Sequence, residues 1–395
     1  MVTSLLPPLS GAIRHMAVLL SLRLLPFAAY VLVARRLAAG RRVALVAAYA
    51  GVSAVAVSLG GLRSLELIVA GCAYYVIVSL GLNPLGRWLA AGLLTRGAAF
   101  ALVFFAFVLV PGVAIPGAAL TTFLVVGWDL VMRSYSYCVD TSLPGAMPPP
   151  LGEGLFFLHV NPTLVYSARG TPSVSAGAAG GGLRAAAGAA LMFANAAALR
   201  PFASYLKHSP AWAAHVPAGA ALALVFYGAA MFLTVYAAHS GLASIQIGLM
   251  REVGWTVPER YRWPILATSP MDFWRRWNVY VRLWLEAYVF LPLARRVARR
   301  TRRRSAQAAV AVVTLLASGL LHDLYRFGGA QVVSAVTIEL FLGAAALLAA
   351  WRAAGWMGEK FRSAIRPGPW FDLAARCSAR LGLAAAVLAA AIGWG

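Results

Sequence analysis

Long uncharged stretches rich in Ala, Leu and Val alternate along this chain with short polar, proline-rich or basic ones. A helix needs roughly 20 predominantly apolar residues to cross a hydrocarbon core, and many of the stretches approach that length. They predict membrane helices near 16–34, 43–62, 65–82, 98–112, 115–132, 185–200, 216–238, 306–322, 331–351 and 380–394. About ten transmembrane or re-entrant helices follow, in an all-α polytopic membrane protein. The runs are continuous, without the two-residue alternation of a membrane β-barrel. The first run has no basic region before it and no small-residue cleavage site after it, so it is expected to stay as a membrane helix.

Two interruptions stand out, and neither has the length or composition of a soluble domain. One covers 139–184, where Pro148, Pro149 and Pro150 cannot continue a helix and glycines from Gly177 to Gly182 suit a loop. The other covers 251–278, where Pro258, Pro264 and Pro270 recur at equal spacing and break the backbone into short pieces. Broken helices at membrane depth are tolerated only where protein or a watery cavity satisfies the backbone. The chain therefore reads as one multi-pass membrane domain over 1–395 with broken helices around a central cavity.

Composition sharpens this picture. Of 395 residues 61% are hydrophobic and 12% charged, which places the chain among membrane proteins. The net charge of +22 is concentrated between apolar runs, in ARRLAAGRR at 34–42 and ARRVARRTRRRS at 294–305. By the positive-inside rule these blocks face the cytoplasm, in contact with anionic lipid. Topology accounts for the charge, so no nucleic-acid partner is expected. Cys72, Cys138 and Cys377 lie far apart, suggesting neither a disulfide framework nor a metal site.

Chemistry concentrates in two segments. In SPMDFWRRWNVYVRLWLEAYVFLPLARR, aromatic residues Phe273, Trp274, Trp277, Trp284, Tyr288 and Phe290 interleave with Asp272, Arg275, Arg276, Asn278, Arg282 and Glu286. The spacing predicts a single amphipathic helix over 271–291, which by itself fits an interfacial helix with Trp and Tyr at headgroup level. In SGLLHDLYRFGG, His322 closes a long uncharged run and precedes Asp323. A helix starting near Ala306 carries His322 about 24 Å from the basic block, and ionisable groups at such depth face a partner or a cavity.

Together the segments carry a family resemblance. DFWRRWN at 272–278, YVFLPL at 288–293 and SGLLHD at 318–323 resemble the signature of membrane-bound O-acyltransferases. RSYSYCVD at 133–140 and FFLHVNPTLVY at 156–166 are similar to that family's upstream segments, so the resemblance spans 130–345. It implies a helical bundle around a central cavity and an active site at Asn278 and His322. The family's polysaccharide-modifying bacterial branch has His at the position of Asn278 and Gly-Pro after its upstream segment, where this chain has Leu164-Val165-Tyr166. The motifs look more like the lipid-handling and wax-synthase-like branches.

The resemblance implies acyl transfer from a thioester, acyl-CoA or carrier-linked, to a hydroxyl-bearing acceptor, with no tightly bound cofactor and no metal. His322 is the expected general base, since a neutral imidazole suits that task. Asn278 polarises the thioester carbonyl or orients the base or donor. Asp323 either orients His322 or caps the helix end. Arg275, Arg276 and Arg282, with Trp274 and Trp277, are candidates for holding the donor's phosphates and body, against structural pairing with Asp272 or Glu286. His159 and Asn161 are candidates for the acceptor path, and His239 beside Ser240 ranks below them. A narrower reading is a wax-ester or lipid acyltransferase with a long-chain alcohol acceptor. A reading from another class is a proton-coupled transporter using His322, Asp129 and Glu286. The bilayer is the expected setting, the plasma or inner membrane if the source is bacterial. Partner subunits and oligomeric state stay open.

Overall fold

The computed structural model describes residues 62–111, 118–146, 149–169, 171–172, 180–208, 219–301 and 304–330, with single positions before residue 55. The expected spans at 16–34 and 43–62 fall almost wholly outside the described residues, as does the block at 34–42. The spans at 331–351 and 380–394, and Cys377, lie outside them altogether. The regular structure described is helical apart from one two-residue β pairing, the all-α membrane architecture expected. Three helical stretches are long and apolar enough to cross a membrane: Ile68–Ala90, Gly181–Lys207 and Val225–Glu252. Arg96–Leu109, Leu151–Val160 and Ala309–Leu324 are shorter apolar helices.

The chain forms two compact units. Among the described residues, one takes in those up to Ala196 together with Gly241–Pro258 and a short piece at 328–330; the other holds those within Ala197–Ser240 and Glu259–Phe327. In the first unit, α1 (Leu62–Leu80), α2 (Leu82–Ala90) and α3 (Arg96–Phe104) pack against α4 (Ala118–Thr141). Thr95 starts α3 by accepting the Ala98 N–H at 3.2 Å, an N-cap that satisfies one orphan donor of the first turn. A π-helical turn, Phe105–Leu109, extends α3 and turns Phe107 inward, where it is fully buried. α5 (Leu151–Leu155) starts directly after Pro150, as the proline run predicts, and continues into a second π-helical turn, Phe156–Val160.

Further along, α6 (Gly181–Ala194) lies against the C-terminal part of α8 (Gly219–Glu252). Small residues set their separation: a Cβ at Gly188 would come within 2.6 Å of the Gly241 carbonyl oxygen, and one at Gly248 within 2.5 Å of that of Gly181. Such close backbone approach is how membrane helices gain packing energy where lipid supplies no hydrophobic drive. Glu252 at the end of α8 accepts the Gly182 N–H at 2.6 Å, capping the start of α6 with an anion where the helix dipole favours one. Strands β1 (Thr171–Pro172) and β2 (Trp255–Thr256) pair antiparallel, Thr171 opposite Thr256, tying the proline- and glycine-rich interruption to the segment after α8.

In the second unit, α7 (Arg200–His208) packs Ala203 and Leu206 on Ala230 of α8. The proline-spaced region breaks as its sequence requires. Pro264 opens a 3-10 turn, Pro264–Leu266, and Pro270 occupies the first turn of α9 (Pro270–Arg276), where a missing N–H costs nothing. α10 (Val279–Leu285) follows, then a π-helical turn Glu286–Phe290, α11 (Leu291–Arg300) and α12 (Arg304–Ala330). The expected single helix over 271–291 is therefore two helices. The break falls at Trp277 and Asn278, with Asn278 in the left-handed region at φ 35°, ψ 62°. Asn is the residue other than Gly that visits this region most readily, whereas the aromatic and polar periodicity runs through the break and masks it.

Candidate functional site

α9 is set by a capping arrangement. Ser269 Oγ accepts the Asp272 N–H at 3.1 Å, and Asp272 reaches back to the Thr268 N–H at 3.1 Å. This is close to the reciprocal capping box, shifted by one residue. Asp272 also receives Arg276 Nε at 2.9 Å, and that hydrogen bond holds its carboxyl below the usual carboxylate range. α9 then ends at Trp277, whose N–H donates to the Phe273 carbonyl.

Asn278 follows, and backbone bonds on both sides pin it. The Val279 N–H donates to the Arg260 carbonyl at 2.7 Å, the Arg262 N–H to the Arg276 carbonyl at 3.0 Å, and the Arg282 N–H to the Asn278 carbonyl at 3.1 Å. Asn278 thus occupies the N-cap position of α10, yet its side chain caps nothing. Its Oδ1 instead accepts Nε–H of the buried Arg260 at 3.1 Å. An arginine has no acceptor, so this bond fixes the amide orientation with oxygen toward Arg260. Among the described residues Nδ2 donates to no protein acceptor, which leaves a half-buried two-proton donor turned away from the arginine.

Aromatic rings wall this turn. Trp277 stacks on Phe273 at 5.6 Å between centroids and packs against Phe232, Tyr236 and Tyr261 at 5.5, 6.1 and 5.3 Å. These contacts seat the break on α8, and Trp274 lies edge-on to Phe273. Of the arginines expected as donor-binding candidates, Arg276 pairs with Asp272 at 2.9 Å and Arg282 with Glu286 at 2.7 Å, each four residues along its own stretch. Arg275 is exposed and makes no ion pair among the described residues. The exposed Arg295, Arg296, Arg299 and Arg300 continue the basic surface along α11.

α12 carries His322, here half-buried. Its Nδ1 lies 2.7 Å from the Ser318 carbonyl, one helical turn earlier. A carbonyl only accepts, so Nδ1 carries the proton and the neutral ring keeps its lone pair on Nε2, the tautomer a general base needs. This backbone carbonyl is one orienting contact, and Asp323 is the next residue along α12. His239 in α8 makes the same bond to the Val235 carbonyl at 2.8 Å. Asn278 and His322 belong to one compact unit, and Asn278 makes no hydrogen bond to His322 among the described residues.

The upstream candidates take up separate tasks in the first unit. Asn161 is fully buried with both ends of its amide used: Nδ2 donates to the Arg169 carbonyl at 2.6 Å, and Oδ1 accepts the Thr163 N–H and hydroxyl at 2.9 and 2.8 Å. That is an Asx turn holding the loop. His159 sits on the π-helical turn with Nε2 at 2.9 Å from Ser79 Oγ. Ser79 gives its own proton to the Tyr75 carbonyl at 2.7 Å, so His159 Nε2 is the donor and no serine is activated there. Asp129 pairs with the buried Arg133 at 3.7 Å, and Arg133 donates to the Leu158 carbonyl at 2.8 Å. Asp129 and Glu286, the carboxylates of the transporter reading, each face an arginine.

Arg260 is the residue sequence reasoning passed over. Its weak signal is position: an arginine in the proline-interrupted stretch VPERYRWP, where an irregular backbone leaves side chains free to reach distant turns.

Comparison with known proteins places these residues in context. The model of the membrane-bound O-acyltransferase family matches residues 195–373, which include Asn278 and His322. The probable alginate O-acetylase AlgI of Azotobacter vinelandii is 30% identical over 90 residues, 22% of this chain and 17% of that protein. The long-chain-alcohol O-fatty-acyltransferase of Simmondsia chinensis is 33% identical over 87 residues, 22% of this chain and 25% of that protein. The probable long-chain-alcohol O-fatty-acyltransferase 9 of Arabidopsis thaliana is 33% identical over 87 residues, covering 26% of its length. The matched stretches thus take in about a quarter or less of these relatives, which include both an alginate O-acetylase and long-chain-alcohol O-fatty-acyltransferases.

Proposed function

We propose that this chain, which belongs to the membrane-bound O-acyltransferase family, moves an acyl group from a thioester to an acceptor hydroxyl with Asn278 and His322 as the reacting site. The observation that carries the reading is the His322 tautomer: the Ser318 carbonyl holds the proton on Nδ1 and so keeps Nε2 basic.

In the proposed reaction Nε2 takes the acceptor's hydroxyl proton as its oxygen forms a bond to the thioester carbonyl carbon. The carbonyl electron pair moves to oxygen, where Asn278 Nδ2–H donates to the developing charge. Donors fixed in advance at such a point are typically worth about 3–4 kcal/mol. The tetrahedral centre then collapses, the carbon–sulfur bond breaks, and the thiolate leaves with the proton from the imidazolium. An ester and a thiol result, with no covalent enzyme intermediate. Arg275 and the basic face of α11 are the groups we assign to the donor's phosphates, since guanidinium forks match phosphate oxygens.

A long-chain alcohol acceptor is the narrower form of this reading. It is supported by Asn278 at the motif position and by the long-chain-alcohol acyltransferases among the relatives. A multi-pass placement, in the plasma or inner membrane of a bacterial source, is part of the proposal. The test supplies labelled acyl-CoA to membranes with a panel of long-chain alcohols and glycans. Thioester-dependent labelled ester is the expected product; substrate flux without ester would instead favour the transporter.

A further inference from the structure

Three contacts of one arginine converge on the turn that presents the donor amide. Arg260 is 6% exposed, and its Nε–H bonds Asn278 Oδ1 at 3.1 Å. Its carbonyl accepts the Val279 N–H at 2.7 Å. Its guanidinium carbon lies 5.6 Å from the ring centroid of Tyr280, itself buried. Residues 278, 279 and 280 are thus held by a single side chain and its own backbone.

We infer that Arg260 is a positioning residue for acyl transfer: it sets which end of the Asn278 amide faces the substrate carbonyl. The inference rests on the proposed acyl-transfer reading. The two ends of a carboxamide are nearly the same shape, so packing alone does not choose between them. If the amide turned over, oxygen would face the carbonyl oxygen, and the donor would become a repulsive acceptor. Arg260 forbids that orientation because it has only N–H groups to offer. Its charge also polarises the amide it bonds, which strengthens Nδ2–H as a donor. Tyr280 keeps the guanidinium over its ring face, an arrangement a cation favours. The bond from the Arg260 carbonyl to Val279 survives any substitution, so variants at 260 isolate the guanidinium from the backbone of the turn.

The experiment measures kcat and KM for an acyl-CoA thioester in the full chain in detergent, with thermal unfolding alongside, for Arg260→Met, Arg260→Lys, Asn278→Ala and the double variant Arg260→Met/Asn278→Ala. Arg260→Met is expected to lower kcat about tenfold or more at unchanged KM, and Arg260→Lys, which keeps a donor, to recover part of it. Once the amide is gone the arginine has nothing to orient, so the double variant should be no slower than Asn278→Ala. Losses that multiply in the double variant, or a rise in KM at constant kcat, would overturn the inference. Where Arg260→Met unfolds, the Lys variant decides: kcat equal to wild type, or a change confined to KM, overturns it. Failure is distinguishable from failure of the acyl-transfer reading, because that shows as a wild-type chain with no thioester-dependent ester.

Discussion

Asn278 allows the backbone and side-chain parts of the turn to be separated by three substitutions. The residue sits at φ 35°, a conformation costing a residue with a Cβ about 1–2 kcal/mol and glycine nothing. Asn278→Ala and Asn278→Gly both delete the amide and leave Arg260 without its acceptor there, at about 1–3 kcal/mol. Alanine also pays the left-handed cost, so it should unfold at lower temperature than glycine. Both should lose about 10²–10³ in kcat, the measured scale for one fixed donor at a developing oxyanion. Asn278→Asp keeps an oxygen for Arg260 and removes the N–H, so it should be as stable as wild type and as slow as glycine. The assay is turnover of labelled thioester at saturating acceptor, paired with thermal unfolding in detergent. If Asn278→Gly or Asn278→Asp turned over within about threefold of wild type, the donor role would be refuted, whatever the stability. A rise in KM for the thioester with kcat preserved would make Asn278 an orienting residue for the donor.

Three further outcomes follow from the same structure. Gly188→Leu places a side chain where even a Cβ meets the Gly241 carbonyl, and overpacking of that kind costs about 1–3 kcal/mol or more, read as a lower unfolding temperature in detergent. Asp272 has its carboxyl lowered chiefly by Arg276, so its contribution to the α9 start is present above the ordinary carboxylate pKa and lost as pH falls through the lowered value. A small acid-side loss of stability should therefore disappear in Asp272→Asn, the effect being modest because the pair is partly exposed. Arg275→Gln should raise KM for acyl-CoA more than for a short thioester lacking phosphates, whereas Arg282→Gln should act on stability through Glu286.

How far the sequence reaches is visible at particular residues. The apolar runs at 65–82, 185–200 and 216–238 reappear as the long helices, because length and unbroken hydrophobicity are local properties of the chain. Pro264 and Pro270 start elements where a proline must, again a local rule. The break at Asn278 was masked, since alternating aromatic and polar residues look the same through a turn as along a helix. Its cause lies outside the segment, in backbone bonds from Arg260 and Arg262 that no periodicity in 271–291 encodes. The pairing of Arg276 and Arg282 with carboxylates is one of two readings left open by four-residue spacing, and both ion pairs are present. The Asx turn that Asn161 makes with Thr163 is again local chemistry, set by a two-residue spacing.

His322, holding its proton on Nδ1 against Ser318, is the base we propose for acyl transfer. The most direct test compares, by mass spectrometry, esters formed from labelled acyl-CoA by membranes containing equal amounts of wild-type chain and of His322→Ala. His239→Ala serves as the comparison variant, because His239 makes the same backbone bond one turn back in its own helix. Wild type should form labelled ester, and His322→Ala none, at equal membrane insertion. Undiminished ester from His322→Ala would contradict this role.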